Sequence, residues 1–325
     1  MGNGALSVGV AGDGTLTSLH WPSPTAFDHL EVFANKNGRQ KFMGSFFGAF
    51  DGDQVIWFGV NSSWGVKSQV YKSDADNVLI TELALSNSNA RAVVTDFVHP
   101  TLDVLVRRLD LNGSGLSPAF YENLAPCVVN LPEYAAADWL LDYQNDFAVY
   151  FDSSLNAMVH FAPNAPSNDD WQRVSQTNWS SNSSFGIGVY FAIGPLDRDC
   201  VPLTACGSVS VDLNFSFDNQ LCEGASRAFS AMRFPGSSSI AVGFAAGSTR
   251  DEAVELLQKA RKLGFVALLN DTVSFWREKV ATAALPASTN DPLVMALAKR
   301  AVISVWTAMD RKSFSVAASI DHQLP

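Results

Sequence analysis

Basic residues are few and scattered: 22 Lys and Arg stand against 32 Asp and Glu, giving a formal charge of −10 over 325 residues. Binding a nucleic-acid backbone requires Lys and Arg gathered to neutralise phosphates. The one close basic pair outside the helical part is Arg107-Arg108, so a nucleic-acid partner is excluded. No apolar run reaches the roughly 18 residues that a bilayer span needs, and no membrane partner is expected. The opening Met1-Gly2-Asn3-Gly4 lacks the basic and apolar regions of a signal peptide. Histidine is scarce, with five in all and neither His-x-His nor His-x-x-x-His spacing, which leaves no metal-ligand set. Asp169-Asp170 and Asp197-Arg198-Asp199 read as solvated loop fragments. The Gly-x-Ser-x-Gly elbow of serine hydrolases is missing. Gly4, Gly9, Gly12 and Gly14 imitate a phosphate loop, but no strand-loop-helix follows them, so they are assigned to hairpin turns and no cofactor is expected.

Four cysteines, Cys127, Cys200, Cys206 and Cys222, lack the Cys-x-x-Cys spacing of zinc sites. Cys200 and Cys206 flank a proline-containing loop and are placed to close a small disulfide, leaving Cys127 with Cys222; buried free thiols are the equal alternative. Asn-x-Ser/Thr sequons at Asn61, Asn112, Asn178, Asn182, Asn214 and Asn270 lean slightly toward an extracellular or periplasmic over a cytoplasmic location.

Hydrophobic residues make up 47% and charged residues 17%, with 22 Phe and 8 Trp. That composition sustains a large core and excludes disorder. Short runs with period-two alternation fill most of the chain: 5–10, 66–72, 78–85, 92–98, 102–111, 147–151, 185–193, 209–217 and 240–244. Turn signals such as Gly12-Asp13-Gly14, Asp74-Ala75-Asp76-Asn77 and Asn112-Gly113-Ser114-Gly115 link them. Links this short make antiparallel hairpins. The predicted fold is mainly β, a large sandwich of two broad antiparallel sheets. Residues 118–143 and 163–184 break the pattern and are predicted to be long loops.

The period then changes. Thr249-Arg250-Asp251-Glu252 fits a capping box. Val254, Leu257, Ala260, Arg261 and Leu263 follow at helical spacing to Gly264, which supplies a left-handed stop. A second helix is predicted from Phe265 to Ala283 with Leu268, Leu269, Val273, Trp276 and Val280 as its stripe. Asp291 caps a third helix with Pro292 in its first turn. Leu293, Leu297, Ala301, Val305 and Ala308 form one apolar face, broadened by Ile303 and Trp306. A helix this apolar expects neighbours on more than one side, and the chain supplies none beyond Asp310, as if a further domain were cut away.

Candidate chemistry is sparse. His99 and His160, with a carboxylate such as Glu82, form a conceivable acid-base set of the kind sugar epimerases build on large sandwiches, and His20 stands beside Trp21. Trp139, Trp171 and Trp179 lie in the predicted loops and are the candidates for stacking on an α-glucan or oligosaccharide ring. No two of the eight glutamates can be paired from sequence as a glycosidase acid and base.

The opening Asn3-Gly4-Ala5-Leu6-Ser7-Val8-Gly9-Val10, with Gly12-Asp13-Gly14-Thr15-Leu16 and Trp21-Pro22-Ser23-Pro24, resembles the start of bacterial glucoamylase-like and glucodextranase-like proteins of glycoside hydrolase family 15. The Asp291-Pro292 helix resembles the first helix of that family's catalytic barrel. Ala317-Ala318-Ser319-Ile320 resembles the segment before its Trp-x-Arg-Asp substrate motif, which would fall just past Pro325. The resemblance implies a galactose-mutarotase-like supersandwich over 1–247, linker helices over 248–288, and the start of a truncated (α/α)6 barrel over 289–325. The implied parent is an inverting exo-glucosidase whose two catalytic glutamates lie in the barrel. No catalytic residue carries over to this chain, and the implied partner is the barrel of the same polypeptide.

Overall fold

The computed structural model describes residues 1–26, 28–30, 44–59, 63–124, 126, 148–163, 188–197, 199–208, 216–217, 223–225, 228–286 and 291–316. In chain order the strands are β1 (Ser7–Val10), β2 (Leu16–His20), β3 (Ser45–Phe50), β4 (Val55–Trp57), β5 (Trp64–Tyr71), β6 (Leu79–Leu85), β7 (Arg91–Val98) and β8 (Val104–Asn112). There follow β9 (Ser117–Glu122), β10 (Ala148–Asp152), β11 (Ala157–Pro163), β12 (Gly188–Pro195), β13 (Leu203–Ser208), β14 (Glu223–Ala225), β15 (Ala228–Arg233) and β16 (Ser239–Gly247). Two helical segments close the order, α1 (Arg250–Ala281) and α2 (Pro292–Ala308).

Among the described residues one sheet has seven strands in the order β1-β2-β3-β9-β15-β13, with β4 on β3. The other has nine, in the order β14-β10-β11-β12-β16-β8-β7-β6-β5. The described pairings are antiparallel, from the β1–β2 hairpin to the β5–β8 meander. The predicted sandwich is therefore the observed one. Alternation fixes which side chains meet: on β8, Leu105, Leu109 and Leu111 enter the core between the sheets, while Val104 and Val106 face the opposite side, under α1.

The sequence reading missed the strands whose alternation is interrupted. Residues 118–143 read as loop, yet Pro118 to Glu122 lie in β9, a central strand flanked by β3 and β15. Its Phe120 packs into the inter-sheet core, and its Ala119 and Tyr121 pack outside against Phe46 and Phe229. Most of 209–217 and 163–184, like Trp139, Trp171 and Trp179, lies outside the described residues.

α1 crosses the outer face of the nine-stranded sheet, over β16 and β12. Glycines on those strands allow the approach: a Cβ on Gly247 would sit 2.5 Å from the Ala253 nitrogen, and one on Gly243 3.2 Å from Leu257 Cδ1. Thr249 caps α1 by accepting from the Glu252 N–H. The Glu252 carboxylate reaches one residue further back than a capping box requires, to the N–H of Ser248 at 2.8 Å. At Gly264 the backbone takes φ 77, ψ 161 and bends the segment. The break is where the sequence places it, but the conformation is the glycine-only extended region rather than the left-handed helical one. Leu263 is exposed rather than part of the packed stripe.

Cys206 is disulfide-bonded while Cys200 keeps a free thiol. This rules out the short Cys200–Cys206 loop.

Candidate functional site

Two polar clusters are sealed between the sheets. In the first, β11 points His160 inward from the nine-stranded sheet, while β9 and β15 point Glu122 and Ser230 inward from the other. His160 Nε2 lies 3.0 Å from Glu122 Oε1 and 3.1 Å from Ser230 Oγ. The Ser230 hydroxyl also donates to Glu122 Oε1. All three residues are fully buried. Among the described residues, Glu122 Oε2, His160 Nδ1 and both side-chain polar atoms of the neighbouring Asn123 have no hydrogen-bond partner. A carboxylate, an imidazole and a hydroxyl in one place invite a catalytic reading, but zero exposure denies a substrate access. The arrangement joins the two sheets instead.

The second cluster centres on Arg107, whose Nε donates to Asp96 Oδ1 at 2.8 Å and whose Nη1 donates to the Ser45 carbonyl at 2.9 Å. It also reaches the Gly14 carbonyl and stands over the Phe47 ring at 5.4 Å. Asp96 and Arg107 lie on adjacent β7 and β8, whereas Ser45 and Phe47 belong to β3 of the other sheet. Burial pushes the Asp96 carboxyl above its usual range, against the pull of Arg107. The Arg107-Arg108 pair is thus divided by the pleat: Arg107 is an internal cross-sheet tie, and Arg108 faces outward to Asp110.

The epimerase-like set does not assemble. Glu82 is exposed on β6, on the face opposite the buried Leu83. His99 follows β7, and its Nδ1 accepts the N–H groups of Thr101 and Leu102 at 3.3 and 3.1 Å. Its Nε2 points toward α1, 3.9 Å from Asp271, too far for a hydrogen bond. Burial holds the His99 pKa down, opposed by Asp271. The carboxylate that meets His160 is Glu122, hidden in the sequence because Pro126, Pro132 and Trp139 give 118–143 the signature of a loop. The signal that would have found it is the alternation of Phe120 and Glu122 against Ala119 and Tyr121. His20 donates from Nδ1 to the Ala26 carbonyl at 2.7 Å, a turn contact. Trp139, Trp171 and Trp179 lie outside the described residues, so no stacking site is drawn from them.

Among the described residues, α2 carries several exposed apolar side chains. Ile303 and Thr307 are buried, Ile303 against Trp276 and Val280 of α1. Lys299 pairs with Asp74 at 2.8 Å, and Arg300 stacks on Tyr71 at 3.5 Å and bonds the Asp76 carbonyl, tying the helix to the β5–β6 hairpin. The other side of α2 carries Leu293, Leu297 and Val305, which are 65%, 60% and 53% exposed. Leu293 and Leu297 are four residues apart and Val305 lies eight further on, so at about 100° per residue the three spread over roughly a third of the helix circumference.

No family model matches the sequence, and no curated protein does. Among solved structures, a bacterial glucoamylase complexed with acarbose aligns over 95% of this chain at TM-score 0.62 and 10% identity. The fold is shared with that glucoamylase. A family GH92 α-mannosidase from Bacteroides thetaiotaomicron aligns over 95% of the chain at TM-score 0.48 and 12% identity. The chain spans 42% of the glucoamylase and 37% of the mannosidase, well under half of either. The glucoamylase likeness takes in both the sandwich and the helices, since it covers nearly all of this chain.

Proposed function

We propose that this chain is the noncatalytic N-terminal region of a glucoamylase-like glycoside hydrolase. In this reading 1–247 form a supporting sandwich, 248–288 the linker helices and 289–325 the start of an (α/α)6 catalytic barrel. The parent enzyme hydrolyses α-glucosidic bonds from the chain end with inversion, and both catalytic carboxylic acids lie in the barrel. The observation that carries the reading is the exposure of Leu293, Leu297 and Val305 on a helix whose Ile303 already packs on α1 and whose Lys299 and Arg300 are tied to the β5–β6 hairpin. A helix apolar on two sides belongs between two bodies. This chain matches 42% of the glucoamylase, so more than half of that protein lies outside the likeness, which supports a further body in the parent.

The sealed Glu122–His160–Ser230 cluster fits a support role, since it ties sheets and meets no solvent. A free-standing carbohydrate-binding sandwich would leave the same three side chains with nothing to cover them. Two measurements test the proposal. The purified chain is expected to release no glucose from maltose or dextrin, and the coding sequence beyond Pro325 is expected to encode Trp-x-Arg-Asp and further helices. Glucose release above a blank, or a stop codon directly after Pro325, overturns it.

A further inference from the structure

A pocket of about 530 Å3 opens where α1 bends at Gly264, between Phe265, the residues Leu196, Asp197 and Cys200, and the start of β16. That volume falls in the range of roughly 300–1,000 Å3 typical of small-molecule sites. Two guanidinium groups stand in its wall, and neither is a bare charge. Arg108 lies over the Phe265 ring at 4.5 Å, and its Nε and Nη2 are held by Asp110 at 2.7–3.0 Å. Arg261 gives its N–H groups to the carbonyls of Pro195, Leu155 and Asn156. Asp197 adds an exposed carboxylate, of which Oδ1 accepts from the Asp199 N–H at 3.0 Å. Arg108 and Asp197 share the pocket without pairing with each other among the described residues.

Beside these the pocket is lined by Ser239, whose hydroxyl donates to Asp110 Oδ1 at 2.6 Å, and by the apolar residues Leu196 and Ile240. An anion gains little here, because Asp110 already neutralises Arg108 and Asp197 repels it. A vicinal diol fits better: its hydroxyls accept from Arg108, donate to Asp197, and leave a C–H face for the apolar wall. We propose that this pocket binds a neutral polyhydroxylated ligand, a short saccharide, between the bend of α1 and the β16 end of the sheet. The choice of an α-glucan as probe rests on the proposed function; the site itself rests on its lining.

Cys200 gives a local readout, as its free, half-buried thiol stands in the same wall. Iodoacetamide alkylation of Cys200 in the whole chain, followed by peptide mass spectrometry, is measured with and without maltose. At maltose ten times its Kd the rate is expected to fall about tenfold. That protection is expected to vanish in Asp197→Ala, which changes an exposed side chain and leaves the core untouched. No slowing at any maltose concentration, equal slowing in Asp197→Ala, or slowing by glycine rather than maltose each overturns the proposal. Protection in a chain whose gene stops at Pro325 would keep the sugar site and sink the domain reading. An enzyme with a downstream barrel and no protection would do the reverse.

Discussion

Acid sensitivity is written into His29. Its N–H accompanies β2 by donating to the Leu19 carbonyl at 2.8 Å, and its Nε2 donates to the Trp21 carbonyl at 2.8 Å. The ring then reaches across the core to stand edge-on to Phe191 of β12, with centroids 5.2 Å apart. Burial removes the water that an imidazolium needs, and the pKa falls from 6.5 to about 4, the Trp21 carbonyl opposing the shift and His20 adding to it. The folded state thus binds the proton less well than the unfolded chain. The stability contributed by neutral His29 is fully present above pH 6.5 and is lost as the pH falls toward 4, below which the loss levels off. The whole shift corresponds to about 3 kcal/mol, of which about 2 kcal/mol has gone by pH 5. Urea unfolding at pH 7.5 and at pH 5 measures it in the parent and in His29→Gln, where an amide replaces the titrating ring and keeps a donor for Trp21. Groups that do not interact with His29 cancel in the difference, and making both measurements in a His20→Gln background removes the histidine whose charge bears on it. The parent is expected to lose about 2 kcal/mol more than the variant over this interval. Equal losses, within about 0.5 kcal/mol, would refute the argument that burial of His29 is what acid works against.

Two further outcomes follow from the fold. Gly264→Ala meets no atom within 4 Å of the added Cβ, so only its backbone at φ 77, ψ 161 resists; a loss of about 1–3 kcal/mol in denaturant unfolding is expected, and a neutral result would mean that the bend is not enforced. Glu122→Ala leaves the buried His160 and Ser230 without their shared acceptor and is expected to cost about 3–5 kcal/mol by chemical denaturation, with Glu122→Gln costing clearly less because it keeps an oxygen in place. Equal costs for the two variants would show that the hydrogen bonds at Oε1 do not matter.

How much was legible depended on whether the signal was local. The strands at β5 to β8 are joined by short local hairpins, and the helix boundaries at Thr249, Gly264 and Asp291 are set by caps and breakers within one turn. Both were read from sequence in nearly the right places. β9 was not, because Pro118 and Glu122 inside an apolar run look like loop chemistry until a second sheet supplies partners for them. The candidate site was the less legible part. The sequence marks His160 but gives no reason to match it with Glu122 rather than Glu82, since nothing local brings β9 opposite β11. Arg107-Arg108 looked like a basic pair although the pleat sends one guanidinium into the core and the other to the surface.

The sequence by itself determined the mainly β class, the switch to helices near 249 and the break at Gly264. Each depends on composition or on neighbours within about one helical turn or one hairpin. The tertiary structure alone decided that Glu122, His160 and Ser230 share one sealed cluster, since Ser230 and Glu122 are 108 residues apart in the chain. It also decided that Cys200 stays unpaired and that the apolar helix α2 turns Ile303 inward while leaving Leu293, Leu297 and Val305 uncovered. Such contacts arise from the stacking of two sheets and the docking of helices upon them. Sequence periodicity tells which side chains share a face and is silent on what that face will meet.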